Sequence, residues 1–366
     1  MNFDFSEDVT RMREEAARVL RDRLPPDALR RRVNAGEPDD GELWASLGEM
    51  GWLGVSVPER FGGSELGYET LCMLAEEIGR VLAPVPFSSS IYLVTEALLL
   101  FGSEAQKRRW LPGLADGSVV GAFALAEGPR EPSPRVASRF ARGKLSGTKR
   151  PVFDATRAGL FVVAAQAEGE VGLFLVEGAE AAVAALRSLE VAPIASRVSF
   201  HEAPAEPLEG ARDWRAIECL LQRAAVLFAF EQVGGAQGAL DMAAAYARDR
   251  FAFGRPIGSF QAIKHQLADV YVATELARSN AYFGAWALTH DAPELPLAAA
   301  TARVAAIAAF EASASQNIQT HGGMGFTWES ECHLYYRRAK RLSGQIGGDR
   351  YWRNQLIDGL ISRQAG

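Results

Sequence analysis

Apolar residues recur at helical intervals early in the chain, give way to short apolar runs broken by turn residues, and return to helical intervals from Trp214 onward. Residues 5–24 carry the pattern of an amphipathic helix. Residues 42–50 predict a second helix, stopped by Gly51, and a glycine- and proline-punctuated loop follows over 51–58, then Phe61-Gly62-Gly63. Further helices are expected over 70–81 and 91–101, and Ser103 is placed to cap the next one. Between 118 and 208 the short runs 119–126, 143–146, 160–165 and 171–176 read as strands, with a proline-rich loop over 127–134. Long alanine-rich stretches over 216–250, 259–288 and 297–320, then 332–342 and a last one from 351, predict an antiparallel bundle. The fold class expected is mainly α with a small β-barrel domain: an N-terminal helical domain (1–117), a middle β domain (118–208) and a C-terminal helical bundle (209–366). No solenoid-length repeat is visible.

Composition narrows the function classes. A chain of 366 residues, 48% of them hydrophobic, can bury a large core. The formal net charge of −6 offers no basic excess for a nucleic-acid partner. Two basic clusters, Arg30-Arg31-Arg32 and Arg337-Arg338 with Lys340-Arg341, read as solvated helix faces; the second could also steer a phosphorylated ligand. The three cysteines, Cys72, Cys219 and Cys332, lack metal-ligand spacing and fit a reducing cytoplasm. The acidic N-terminus has no apolar signal core, and no run reaches the roughly eighteen uninterrupted apolar residues of a bilayer span. A soluble, cytoplasmic protein is the expectation.

Candidate chemistry concentrates in two segments. In residues 246–269, Gly254, Pro256 and Gly258 force a turn between two helices and expose the start of the second. An arginine at the end of the first, Arg250, can reach a diphosphate, where its planar guanidinium makes two parallel charge-assisted bonds. The second segment, 318–329, carries Gly322-Gly323-Met324-Gly325, whose glycines let backbone approach a ligand or a neighbouring subunit. His321 and His265 read as packed or turn-bonding histidines.

Together these segments resemble the signatures of the acyl-CoA dehydrogenase family. The resemblance extends to residues 51–63, Glu76-Glu77-Ile78-Gly79, Gln106 to Pro112 and Leu145-Ser146-Gly147-Thr148-Lys149, nearly the whole chain. It implies an FAD cofactor held by Arg250, Phe253, Gln261, Gln319, Gly322 and Gly323, and usually a tetramer. It also implies an acyl-CoA substrate dehydrogenated to the trans-2-enoyl thioester, with electron-transfer flavoprotein as electron acceptor.

The chain departs from the family at the chemistry. The reaction takes a proton from the carbon beside the thioester carbonyl and sends hydride from the next carbon to the flavin, so a carboxylate base is required. Ile346 and Ala224 occupy the two positions where the family places its glutamate. In the β domain, Ala126-Glu127-Gly128-Pro129 lacks the hydroxyl that the family directs at the flavin ring. Two readings follow. Glu231, about two helical turns beyond Ala224 and in an apolar stretch, serves as the base, although roughly 10 Å of axial displacement separates the two. Alternatively, the chain resembles the non-catalytic, FAD-completing partner in the two-subunit bacterial acyl-CoA dehydrogenases. A flavin-free helical binding protein is a third, more distant class.

Overall fold

A computed structural model describes residues 6–37, 39–190, 192 and 195–365, with side chains as far as residue 361. In chain order the helices are α1 (Glu7–Arg23), α2 (Ala28–Ala35), α3 (Gly41–Glu49), α4 (Gly67–Arg80), α5 (Glu96–Phe101) and α6 (Glu104–Asp116). The strands follow: β1 (Gly121–Ala124), β2 (Arg139–Ala141), β3 (Lys144–Phe153), β4 (Leu160–Ala167), β5 (Glu170–Glu177), β6 (Ala182–Ala185), β7 (Ala195–Pro204) and β8 (Glu206–Pro207). Helix α7 (Trp214–Asp249) then leads through the ribbon β9 (Phe251–Ala252) and β10 (Arg255–Pro256) into α8 (Gln261–Thr289), α9 (Leu295–His321), α10 (Cys332–Gly344) and α11 (Asp349–Ala365). Chain contacts group these into two compact units, one of Met1–Glu37, Cys72–Ala83 and Ala225–Gly366, the other of Pro38–Leu71 and Pro84–Ala224.

In the second unit the β domain is an eight-stranded mixed sheet, ordered β6-β7-β3-β2-β4-β5-β8, with β1 pairing parallel to β4. Leu145, Val152, Phe161, Val163, Phe174, Val198 and Phe200 fill its core. Strands β2, β6, β7 and β8 lie outside the runs expected from the sequence: β7 mixes arginine, histidine and serines into its run and is held by pairing with the distant β3. The helix expected from residue 91 begins earlier, as a wide π-helical turn over Ser88–Thr95 that is buried throughout. Its serines reach sideways, Ser90 Oγ accepting from Gly121 N at 3.1 Å and Ser89 bonding Asp154. Ser103 caps α6 as expected and forms a full capping box with Gln106.

In the first unit α9 is the central bundle helix, packed by α8, α10 and α11. By length and composition Leu295–Phe326 is apolar enough to cross a membrane, although Thr301, Arg303 and Glu311 interrupt its apolar run. Burial of 56% of that window inside the protein gives its alanines a different reason, close helix–helix approach. Helices α4 and α7 touch backbone to backbone. A Cβ on Gly79 would lie 1.9 Å from the Glu231 carbonyl oxygen, and one on Gly234 1.8 Å from that of Glu76. The segment Glu76-Glu77-Ile78-Gly79 is therefore architectural: Arg13 of α1 donates to Glu76 at 2.9 Å and Glu77 at 3.1 Å, and Arg278 of α8 to Glu76 at 3.2 Å.

Candidate flavin and acyl-CoA site

Helix α7 stops where Arg250, still donating its N–H to Tyr246 O at 2.8 Å, accepts from Ile257 N at 2.8 Å. The ribbon between pairs Ala252 with Arg255 and Phe251 with Pro256. Its tip residues Phe253 (φ 52°) and Gly254 (φ 76°) are both left-handed, the signature of a type I′ hairpin. Gly254 adopts this conformation freely; Phe253 does so at a cost, and its ring is 95% exposed. Arg250 and Gln261 are exposed as well, and the Arg250 guanidinium has no carboxylate partner among the described residues. Helix α8 opens directly after this turn with no side chain capping its first amides.

The glycine turn lies at the end of α9. Gly322 takes φ 59°, and a Cβ on Gly322 or Gly323 would meet nothing within 4 Å, so this backbone is open to a ligand; Gln319 beside it is exposed. Gly325, in contrast, is packed, 2.6 Å from Ile318 O for a hypothetical Cβ. His321 stacks on Tyr246 at 4.0 Å and its Nδ1 lies 2.9 Å from Asn317 O, the packing role expected of it. The same stack joins the ends of α7 and α9, bringing the two sequence segments to one end of the bundle.

In the second unit the structure pairs two residues that the sequence left in separate motifs. Lys149 Nζ, fully buried, lies 2.8 Å from Glu127 Oε1, which also accepts from Ser138 N and Oγ, while Oε2 accepts from Ala137 N at 2.6 Å. Burial raises the Glu127 carboxyl, but the hydrogen bonds from Lys149, Ala137 and Ser138 outweigh it and hold the group at about 2. Burial pushes the Lys149 ammonium down to about 8 against the pull of Glu127. Ala126 accepts from Arg150 N at 2.7 Å and has no hydroxyl to offer.

The two family base positions hold no acid. Ala224 is fully buried, and Ile346, also buried, adopts φ 56°. Glu231 is buried within the first unit, its Oε1 3.4 Å from Arg341 and 3.7 Å from Arg338. Arg303 completes this cluster, donating to Gln345 O at 2.8 Å and bonding Leu342 O and Gln232. Burial holds the Arg303 guanidinium well below its usual range, helped by Arg341 and opposed by Glu231. The reading of 337–341 as a solvated face is thus corrected for Arg338 and Arg341, which point inward because α10 packs on α9. A lone arginine in the alanine run of α9 was the only sequence signal for Arg303. In the second unit Glu96, Arg223 and Tyr68 form a buried triad that the sequence reading missed. Tyr68 Oη bonds Glu96 at 2.9 Å and the Arg223 guanidinium lies 4.9 Å over the Tyr68 ring. Burial and the Glu96 charge raise the Tyr68 phenol.

Known proteins with these features are now comparable. The acyl-CoA dehydrogenase N-terminal domain model matches residues 6–118 and the C-terminal domain model residues 213–360. The acyl-CoA dehydrogenase IpdE2 of Mycobacterium tuberculosis is 32% identical over 90% of this chain and 89% of its own length. The acyl-CoA dehydrogenase FadE34 of the same organism is 34% identical over 85% of this chain, which takes up only 41% of that longer protein. Among solved structures, the ChsE4-ChsE5 complex of Mycobacterium tuberculosis superposes with a TM-score of 0.90 at 26% identity, covering 99% of both chains. The Tcur3481-Tcur3483 steroid ACAD gives 0.88 at 30% identity, covering 98% of this chain and 99% of that one. With both terminal domains and nearly the full length accounted for, this chain belongs to the acyl-CoA dehydrogenase family.

Proposed function

We propose that this chain is the FAD-completing, non-catalytic subunit of a hetero-oligomeric acyl-CoA dehydrogenase. One observation carries the reading: both family base positions are apolar, Ala224 and Ile346, while the nearby carboxylate Glu231 is occupied by Arg341 and Arg338. A base must reach the substrate's α-proton within hydrogen-bond distance, and a carboxylate clamped inside the bundle is not free to do so.

Members of this family are FAD flavoproteins, and FAD supplies the hydride acceptor when bound. The residues here fit its diphosphate half. Arg250 is exposed and unpaired among the described residues, and the backbone at Gly322 and Gly323 is open; Phe253, Gln261 and Gln319 stand exposed beside them. The ring contact that the family draws from a hydroxyl in the β domain is missing, because Ala126 stands at that position. A partner supplying the catalytic glutamate and the ring contacts makes the site complete. Exposed apolar side chains on α8 (Tyr271, Val272, Leu276) and α11 (Ile357, Leu360, Ile361) support an assembly with a homologous chain. The two-component names of the ChsE4-ChsE5 complex and the Tcur3481-Tcur3483 protein, and the length of FadE34, support the same reading. Electrons then pass to electron-transfer flavoprotein in the cytoplasm.

A self-sufficient enzyme using Glu231 is the second reading, favoured by one detail: Glu231 Oε2 is buried without a hydrogen-bond partner. The two separate in one experiment. The chain is purified alone and with candidate homologous subunits, and straight-chain and steroid acyl-CoA thioesters are added without oxygen while flavin absorbance is followed. Bleaching only in the mixed complex supports the proposal; bleaching by the lone chain, abolished by Glu231→Gln, sinks it.

A further inference from the structure

The ribbon after α7 carries a second arginine. The Ala252–Arg255 and Phe251–Pro256 pairs put Ala252 and Arg255 on one face, and the bond from Ile257 N to Arg250 O at 2.8 Å continues the ladder, so alternation carried one step further places Arg250 on the face of Arg255. Arg250 and Arg255 are therefore diagonal neighbours, with Cβ atoms roughly 7 Å apart. The Arg255 guanidinium lies 4.1 Å over the Phe260 ring, and the Phe253 ring meets that of Phe260 edge-on at 6.2 Å. Stacking on an aromatic face fixes the plane of a guanidinium while leaving its N–H edges available. Some surface arginines are paired, as in Arg80–Asp241, Arg109–Glu206 and Arg353–Asp349, and others, Arg248 among them, have no such partner among the described residues. Neither Arg250 nor Arg255 has a carboxylate partner among the described residues. The uncapped amide end of α8 adds a third positive contribution within a few residues. Like charges set side by side about one tight turn are unfavourable alone and favourable around an anion that bridges them.

We infer that Arg255 is a second anchor for the diphosphate of the bound dinucleotide, forming with Arg250 a two-guanidinium clamp on one face of the ribbon. This rests on the proposal that Arg250 grips FAD. Phe260 acts as the positioning residue that holds Arg255 flat, which explains an aromatic side chain at the mouth of α8.

The test measures FAD retention and the salt dependence of FAD affinity in the full-length, flavin-loaded assembly, by flavin fluorescence on dilution. Arg255→Gln is expected to weaken FAD binding about ten- to a hundredfold and flatten its salt dependence, with Arg255→Lys falling between it and the wild type. Arg248→Gln, which removes an exposed charge from the last turn of α7, is the control and is expected to shift binding about twofold or less. If Arg255→Gln behaves like Arg248→Gln while Arg250→Gln releases the flavin, the inference is overturned and the cofactor reading stands. If Arg250→Gln also leaves retention unchanged, both fall. Should Arg255→Lys lose as much as Arg255→Gln, the residue acts by packing on Phe260 and the clamp is wrong.

Discussion

Tyr246 and His321 stack face to face, 4.0 Å between ring centres and 26° between planes, and with the Asn317–Met242 contact this fastens the end of α7 to the end of α9. Four residues past Tyr246 stands Arg250, and one past His321 stands Gly322. Replacing either ring with alanine is expected to destabilise the fold by about 0.5–1.5 kcal/mol and to loosen flavin retention. Thermal melts and gel filtration with flavin absorbance check both effects. A histidine acting as an acid or base would instead leave stability alone and remove activity.

The Glu127–Lys149 pair makes two pH contributions of the same sign in separate windows. The Glu127 carboxyl is depressed from 4.5 to about 2, so its stabilisation is complete above pH 4.5 and is lost as pH falls toward 2. The Lys149 ammonium is depressed from 10.5 to about 8, so between those values the unfolded chain binds more protons, and this residue's contribution to stability rises with pH. Comparing melting temperatures of the wild type and Lys149→Met across pH should expose both windows. A difference curve flat between pH 8 and 10 refutes the burial argument for Lys149.

Glu231→Ala leaves the guanidiniums of Arg341, Arg338 and Arg303 facing one another without their carboxylate. Removing one side of a buried ion pair costs about 3–5 kcal/mol, and the same is expected here by urea denaturation. Glu231→Gln, keeping the shape, should cost less and leave the rate of flavin reduction in the mixed complex within about twofold, as befits a structural residue.

Ile346 is β-branched yet sits at φ 56°. Ile346→Gly relieves about 1–2 kcal/mol of backbone strain but deletes a buried side chain whose loss costs about 2–5 kcal/mol, so a net destabilisation of about 1–3 kcal/mol is expected. A neutral or stabilising change in denaturant unfolding would mean that the backbone cost of the isoleucine outweighs its packing.

Helical spacing and turn residues made the bundle legible, because α7, α8 and α9 are long and their periodicity repeats over many turns. Ser103 was legible as a cap because capping is a local side-chain-to-backbone bond. Strand β7 was not, since its arginine, serine and histidine obscure alternation and its pairing partner β3 lies some fifty residues away. The residues proposed for the cofactor, Arg250, Gly322 and Gly323, stand in short motifs, whereas Arg303 and the Tyr68–Glu96–Arg223 triad carry no local pattern.

By itself the sequence determined which residue types are present at each special position: an arginine and glycines suited to a diphosphate, and no acid at 224 or 346. Tertiary structure alone decided what Glu231 does, since whether a carboxylate is a free base or half of an ion cluster depends on α10 folding Arg338 and Arg341 back onto α7. It also decided that Glu127 and Lys149 share one buried charge pair. Identity is local and written in the chain, whereas the protonation and partners of a buried charge are set by groups far along the chain that only packing brings within a few ångströms.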